Sequence, residues 1–396
     1  MSKRLGLLLA LILFMLPLTG CWDRMELEQR GFVTGIAVDE GTTPKGSKQT
    51  KGKQTFRVTF QEVIPAGLKQ TGQSGSSLAG DSYFNIAMEG NSILSVITKM
   101  SSMTSRTPFF EHLKIVVISE KVARTKLGFA NVLDYFLRNN DARRSVAIMI
   151  AKGDAKQVLD TMPQGEKTPV IFIQSISKNQ DSFRMVPETR IGDLHEFLLK
   201  KQSFIVQKVT ANENFISLIG AAVMNGATNN LSGFLDETET EGYNFIADGI
   251  KSGVIEVNVG DNLVVYKIDH IDRSIYSDIS DPNRVRFTIE LHVEGSLLEA
   301  YERLNYLDDA VLNEIQENIK QSINNLVDQT INKAHKQLKK DVLGLGNHLE
   351  EHHPKFWKTV YDEWDNGMNY FARSEISVVV RPEIRRIGSI NNSEQR

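Results

Sequence analysis

The sequence has few of the features that would assign it quickly to a class. One cysteine, Cys21, stands in 396 residues, so no disulfide framework exists and the fold must rest on its apolar core. A strong charge of either sign is missing. The formal net charge is −3, which gives no electrostatic case for nucleic acid. Long apolar runs are missing too. The greasiest stretch, Leu5–Leu18, is broken by Gly6 and Pro17 and falls short of the roughly 20 residues that a membrane span needs. No internal repeat is visible. The phosphate-cradling G-x-x-x-x-G-K-[ST] and the nucleophile elbow G-x-S-x-G do not occur. Gly344-Leu345-Gly346 lacks the third glycine of a dinucleotide fingerprint, because position 349 is Leu.

What is present begins at the N-terminus. Lys3 and Arg4 precede the apolar run, whose length suits the h-region of a secretory signal. The run closes on Leu18-Thr19-Gly20-Cys21, an aliphatic residue, two small ones and cysteine, which matches the bacterial lipobox. The Cys21 thiol is expected to take a diacylglyceryl group, with cleavage just before it. The alternative is a plain signal peptide or short anchor with an incidental cysteine. Two acyl chains meet the requirement for stable anchoring, so residues 22–396 read as an ectodomain tethered to the outer face of a membrane. Loss of Lys3 and Arg4 with the leader makes the chain two units more negative. Apart from the covalent lipid on Cys21, no cofactor is implied.

The mature chain exceeds what one core usually organises. Strands are expected at Gly31–Asp39, Thr55–Val63, Leu113–Ser119 and Ser145–Ala151, with helices at Ala87–Met103, Gly128–Arg138 and Asp154–Thr161. Strands alternating with helices imply a layered first domain, 21–160. A small middle domain, 161–214, carries a helix at Glu188–Lys201. A third, 215–388, has strands at Phe215–Met224, Gly253–Val259, Leu263–Ser277, Arg284–Ser296 and Glu375–Arg381. In it Asp236 is a candidate N-cap, with Glu239 three residues on. Its longest helical pattern, 308–343, reads better as an amphipathic helix on a sheet than as a coiled coil. Residues 389–396 form a tail. The fold class is therefore α+β, multidomain, after a lipoprotein signal peptide.

One stretch invites trial as an enzyme site. His348, Glu351 and His352 spell the inverted zincin pattern, which on a helix would place both imidazoles on one face. Gly344 and Gly346 before it and Pro354 after it argue for a His-rich surface turn, and no third ligand is marked, so no metal is assigned. Asp236, Glu237, Glu239 and Glu241 lack the spacing of an EF-hand loop and read as a solvated helix face. Trp357 and Trp364, near Phe356, Tyr361 and Tyr370, could line an apolar site, although core packing is the commoner use of such a stripe. No catalytic residue is assigned.

The residues after the lipobox, Trp22-Asp23-Arg24 and then Val33-Thr34-Gly35-Ile36, resemble the C-subunit lipoproteins of spore germinant receptors, the Ger(x)C family. Further matches follow in the family's order. They are Glu111-His112-Leu113-Lys114, Phe136-Leu137-Arg138, Ala151-Lys152-Gly153, Gly233 to Thr240 with Gly242-Tyr243, Lys251 to Ile255, Lys340-Asp341 with Leu343-Gly344, and Pro354 with Trp357-Lys358. Leu345 departs from the aromatic usual there, and the His-rich segment 348–353 is no family hallmark. The resemblance implies three α+β domains and no enzymatic activity. It also implies a lipid-anchored subunit on the spore inner membrane, partnered by A and B membrane subunits in germination signalling. Phe234, Leu235, Asp236, Glu237, Glu239 and Tyr243 are the expected partner interface, on the reading that the acidic residues stay exposed. The competing reading is a solute-binding lipoprotein that delivers a nutrient to a transporter. It lacks a second lobe of matching texture.

Overall fold

The computed structural model describes residues 30–42, 54–65, 82–139, 142–179, 182–213, 215–247, 252–300, 304–306 and 308–387. The leader 1–20, the lipobox Leu18–Cys21, Trp22-Asp23-Arg24 and the tail 389–396 lie outside these residues.

The first unit is built on one 10-stranded mixed sheet. Its strands are β1 (Arg30–Glu40), β2 (Phe56–Val63), β3 (Tyr83–Gly90), β4 (Thr107–Phe109), β5 (Ile115–Ser119), β6 (Ala147–Ala151), β7 (Phe204–Ala211), β8 (Ile216–Ser217), β9 (Ala221–Asn225) and β10 (Asn230–Leu235). The order is β10-β9-β7-β6-β5-β1-β2-β3, with β4 beside β1 and β8 beside β7. Strands β1, β5, β6 and β7 run parallel, and the antiparallel pairs flank them. Every residue of β5 and β6 is buried, because alternate side chains enter two different cores. Val116, Ile118, Ile148 and Ile150 pack under α1 (Ile93–Ser101), α2 (Glu120–Arg124), α3 (Gly128–Arg138) and α6 (Ile191–Lys200). Ile115, Val117 and Met149 pack under α4 (Ala155–Asp160) and α5 (Pro169–Ser177).

The second unit is a four-stranded sheet, β11 (Gly253–Val259), β12 (Asn262–Asp278), β13 (Arg286–Ala300) and β14 (Glu375–Arg386). Helix α7 (Glu237–Ile246) and the long α8 (Asp309–Ile331) cover it. Ile315, Ile319, Ile323 and Val327 of α8 are fully buried at i, i+4 spacing against Ile255, Val257, Ile289 and Val293. Each such side chain contributes about 2 kcal/mol of burial. Smaller helices α9 (Leu345–His352), α10 (Pro354–Val360) and α11 (Tyr370–Arg373) close one end. The units share a core, since Phe183, Val186, Ile205, Ala221, Val223 and Leu235 belong to the same apolar cluster as the second sheet.

Several expectations change. Residues 87–89, expected to be helical, lie in β3, where Ala87 and Met88 pair with Thr59 and Val58. A distant partner strand overrides the local periodicity there. The strand expected over 215–224 is two pieces, parted at Leu218–Gly220, where Gly220 has φ +94°. The helix expected to reach 343 leaves α geometry after Ile331, makes a π-helical turn over 332–338 and stops at Lys339 in a left-handed conformation. The expected limits at 160 and 214 do not fall between sheets, because β7, β9 and β10 extend the sheet begun by β1. The N-terminus of α4 is capped from far away. The buried Asp39 carboxylate accepts from the Ala155 and Lys156 amides at 2.7 and 2.8 Å, while Asp154 makes no side-chain cap.

Candidate functional site

Asp341 is the polar centre of the second unit. Lys339, at φ 55°, ends the helical run, and the chain then turns Lys340 and Asp341 inward, where both are buried. One Asp341 carboxylate oxygen accepts from the Leu343 and Leu345 amides at 3.1 and 3.2 Å. The other accepts from the Gly346 amide at 2.6 Å and the Trp364 indole at 2.7 Å. These amides open α9, so the carboxylate caps that helix and faces its positive end. Burial pushes the Asp341 carboxyl above its usual range, while the Trp364 and Gly346 donors pull it back. Beside it, Lys340 Nζ donates to the Asp365 carbonyl at 2.5 Å and to Asn366 Oδ1 at 2.8 Å. Desolvation lowers its pKa. Trp364 sits edge-on to Trp357 at 5.8 Å and to Phe287 at 6.1 Å. The aromatic stripe is thus core at Trp364 and partly exposed at Trp357.

This hub forms the floor of a cleft of about 810 Å³ between the two units. The first unit lines it with Glu188, Asp193, Phe197 and Lys200, the second with Arg273, Tyr276, His348, Glu351, Trp357 and Tyr361. The walls are tied across the cleft. Gln202 Nε2 donates to Asn347 Oδ1 at 2.6 Å, and Lys201 pairs with Asp362 at 3.7 Å. Deeper, Asn244 donates to the Phe183 and Met185 carbonyls. Arg273 donates to the Ile246 carbonyl at the C-terminus of α7, where a cation complements the helix dipole.

The His-rich segment is helical, contrary to the expected surface turn. Gly346 lies inside α9, and Asp341 supplies the cap that the local sequence lacks. His348 and His352 do share a face, with rings stacked at 4.3 Å. Both are already engaged, His348 Nε2 with Ser277 Oγ at 3.0 Å and His352 Nδ1 with the His348 carbonyl at 3.0 Å. Ser277 with His348 has the spacing of a nucleophile and base, but no carboxylate orients the second ring nitrogen among the described residues. Burial lowers the His348 pKa. Among the described residues, the three-membered group with metal-ligand spacing is His292, Glu294 and Glu383, on the second sheet. Arg385 pairs with both of those carboxylates at 2.6 and 2.8 Å, so they belong to a charge ladder across β13 and β14.

The 234–243 segment divides. Leu235 is fully buried. Asp236 and Glu239 form the expected reciprocal capping box at the start of α7, at 2.8 and 2.9 Å. Contrary to expectation Glu239 is half-buried, turned toward Lys333 at 3.5 Å, and Asp236 and Glu237 are the exposed acids. Phe234 lies under the cations of Lys152 and Arg124, at 5.7 and 6.0 Å. Gly242 is where α7 crosses α8, and a Cβ there would stand 2.1 Å from the Leu326 carbonyl. The second unit's wall holds His348, Glu351, Trp357 and Tyr361, which the sequence marks as candidates. Ser277 and the first unit's wall escaped that reading, because residues 186–205, 273–277 and 341–365 meet only in the fold.

Comparison with known proteins bears on the whole chain. Residues 23–211 match the spore germination protein N-terminal domain, and residues 219–388 match the spore germination B3/GerAC-like C-terminal domain. Spore germination protein YndF of Bacillus subtilis (strain 168) is 29% identical over 98% of this chain and 98% of its own. Spore germination protein B3 of the same organism is 25% identical over 95% and 96%. The crystal structure of the GerBC protein superposes with a TM-score of 0.59 at 22% identity, covering 92% of this chain and 100% of that one.

Proposed function

Since this chain belongs to the GerAC family of spore germination proteins, we propose that it is the lipid-anchored, non-enzymatic subunit of a spore germinant receptor, acting in assembly and signalling with membrane-embedded A and B subunits. The observation that carries this reading is the succession of lipobox, N-terminal domain and C-terminal domain in one chain. Among the described residues no helix is long and apolar enough to cross a membrane. Diacylglyceryl-Cys21 supplies the attachment instead, on the outer face of the spore inner membrane. The tether confines the two units near their partners and so raises their effective concentration. Within them, the buried hub at Lys340 and Asp341 and the close crossing at Gly242 act as fold determinants. Asp236 and Glu237 are the exposed part of the proposed partner segment. Mass spectrometry of the mature N-terminal peptide tests the anchor. The expected product begins at a diacylglyceryl Cys21, and Cys21→Ala spores germinate poorly. An unmodified Cys21 in a protein that still supports germination would contradict the reading.

A further inference from the structure

The geometry points to a membrane-facing surface at the chain-entry end of the first sheet, where exposed cations and exposed apolar side chains fit an anionic lipid headgroup layer. The inference rests on the lipid tether proposed above. Eight residues, and so nine chain steps, lie between Cys21 and Arg30, the first residue of β1, which bounds the reach of the anchor at about 30 Å. The parallel strands bring other segments to the same end: β4 beside Arg30, and the loops that enter β5 and β6.

The side chains gathered there share one character. Arg106, Lys114, Arg143 and Arg144 are exposed, and none has an ion-pair partner among the described residues. Arg30 lies over the Phe109 ring at 4.2 Å, beside the edge-on cluster of Phe32, Phe109 and His112. Among the described residues the carboxylates near these cations are the exposed Glu111 and Asp193 and the buried Glu62, which Arg106 attracts. Asp193 follows Gly192, whose amide donates to the Arg144 carbonyl. Met103 is 75% exposed, with Phe84 and Leu137 exposed around it. At the opposite end of the sheet Arg57 pairs with Glu89, Arg124 with Glu120, Lys121 with Asp154, and Lys156 with Asp160, whereas at the entry end Arg138 pairs with Asp134. Exposed cations interleaved with apolar side chains suit a lipid interface, and each cation near an anionic leaflet favours the docked orientation about fivefold.

The test uses the lipidated full chain in vesicles. With Cys21 consumed by lipid, Met103→Cys or Asp154→Cys provides a single thiol for a fluorophore, and headgroup-nitroxide lipids act as the quencher. In phosphatidylcholine vesicles containing phosphatidylglycerol, we expect the label at 103 to be quenched at least about fivefold more than the label at 154. That difference should fall in pure phosphatidylcholine, in about 1 M salt, and in an Arg143→Glu, Arg144→Glu variant. A chain that floats with the vesicles yet shows equal quenching at both positions would overturn this orientation and leave the tether standing. Quenching that requires co-reconstituted partner subunits would overturn it in favour of a protein contact. Failure to float with either vesicle would refute the tether and the orientation together.

Discussion

Replacing Asp341 by alanine removes the shared acceptor of four donors, the amides of Leu343, Leu345 and Gly346 and the indole of Trp364. All four are held in a buried region, where an orphaned donor costs about 1–3 kcal/mol. Taking the lower figure for each, the variant loses about 4 kcal/mol. An exposed helix cap would lose only about 1 kcal/mol. For a unit of this size, 4 kcal/mol lowers the melting temperature by about 8–16 °C. Asp341→Asn keeps one acceptor oxygen and turns an NH₂ group toward the remaining donors, so it should lose about half as much. Thermal unfolding followed by near-ultraviolet circular dichroism gives the loss, and Trp364 fluorescence reports locally as its indole loses its partner. A loss near 1 kcal/mol for alanine, or an asparagine variant as stable as the parent, would refute the account of this hub.

Further outcomes follow from other positions. Gly242→Val drives a side chain into the Leu326 carbonyl and should cost about 3 kcal/mol by parting α7 from α8; denaturant unfolding with an unchanged midpoint would contradict this. His335 is buried, with its Nε2 against the Phe371 carbonyl at 2.8 Å, and desolvation holds its pKa below the usual 6.5. The unfolded chain therefore takes up the proton first, and stability falls as pH drops below about 6.5. A His335→Gln variant should show a shallower acid slope in urea midpoints measured at several pH values, and equal slopes would sink the assignment. Glu237→Lys reverses an exposed charge without touching the capping box, although it gives up an ion pair with Arg184. It should impair germination while the melting temperature stays nearly fixed, and normal germination would remove this residue from the partner surface.

Much of the fold was legible where local pattern and burial agree. Gly128–Arg138 and Gly253–Val259 have the limits their periodicity indicates, and the Asp236–Glu239 box closes as the four-residue pattern requires. Legibility failed wherever the deciding partner is remote. Residues 87–89 look helical until β2 is placed beside them. The cap of α4 comes from Asp39 rather than Asp154, and α9 forms despite its glycines because Asp341 caps it. The first unit's side of the cleft was invisible for the same reason, since the walls come from both units. The resemblance pointed to Gly242, Lys340 and Asp341 as residues, and the fold supplies their reasons: one backbone crossing and one buried polar hub.

The central claim, a tethered subunit working with membrane partners, is tested most directly by affinity capture of the tagged chain from dormant-spore membranes, with the bound proteins identified by mass spectrometry. The account predicts that A- and B-type receptor subunits co-purify with the parent chain, and that Cys21→Ala loses both the membrane fraction and those partners. Recovery of the chain without either subunit, or a Cys21→Ala chain that still brings them down from the membrane, would contradict it.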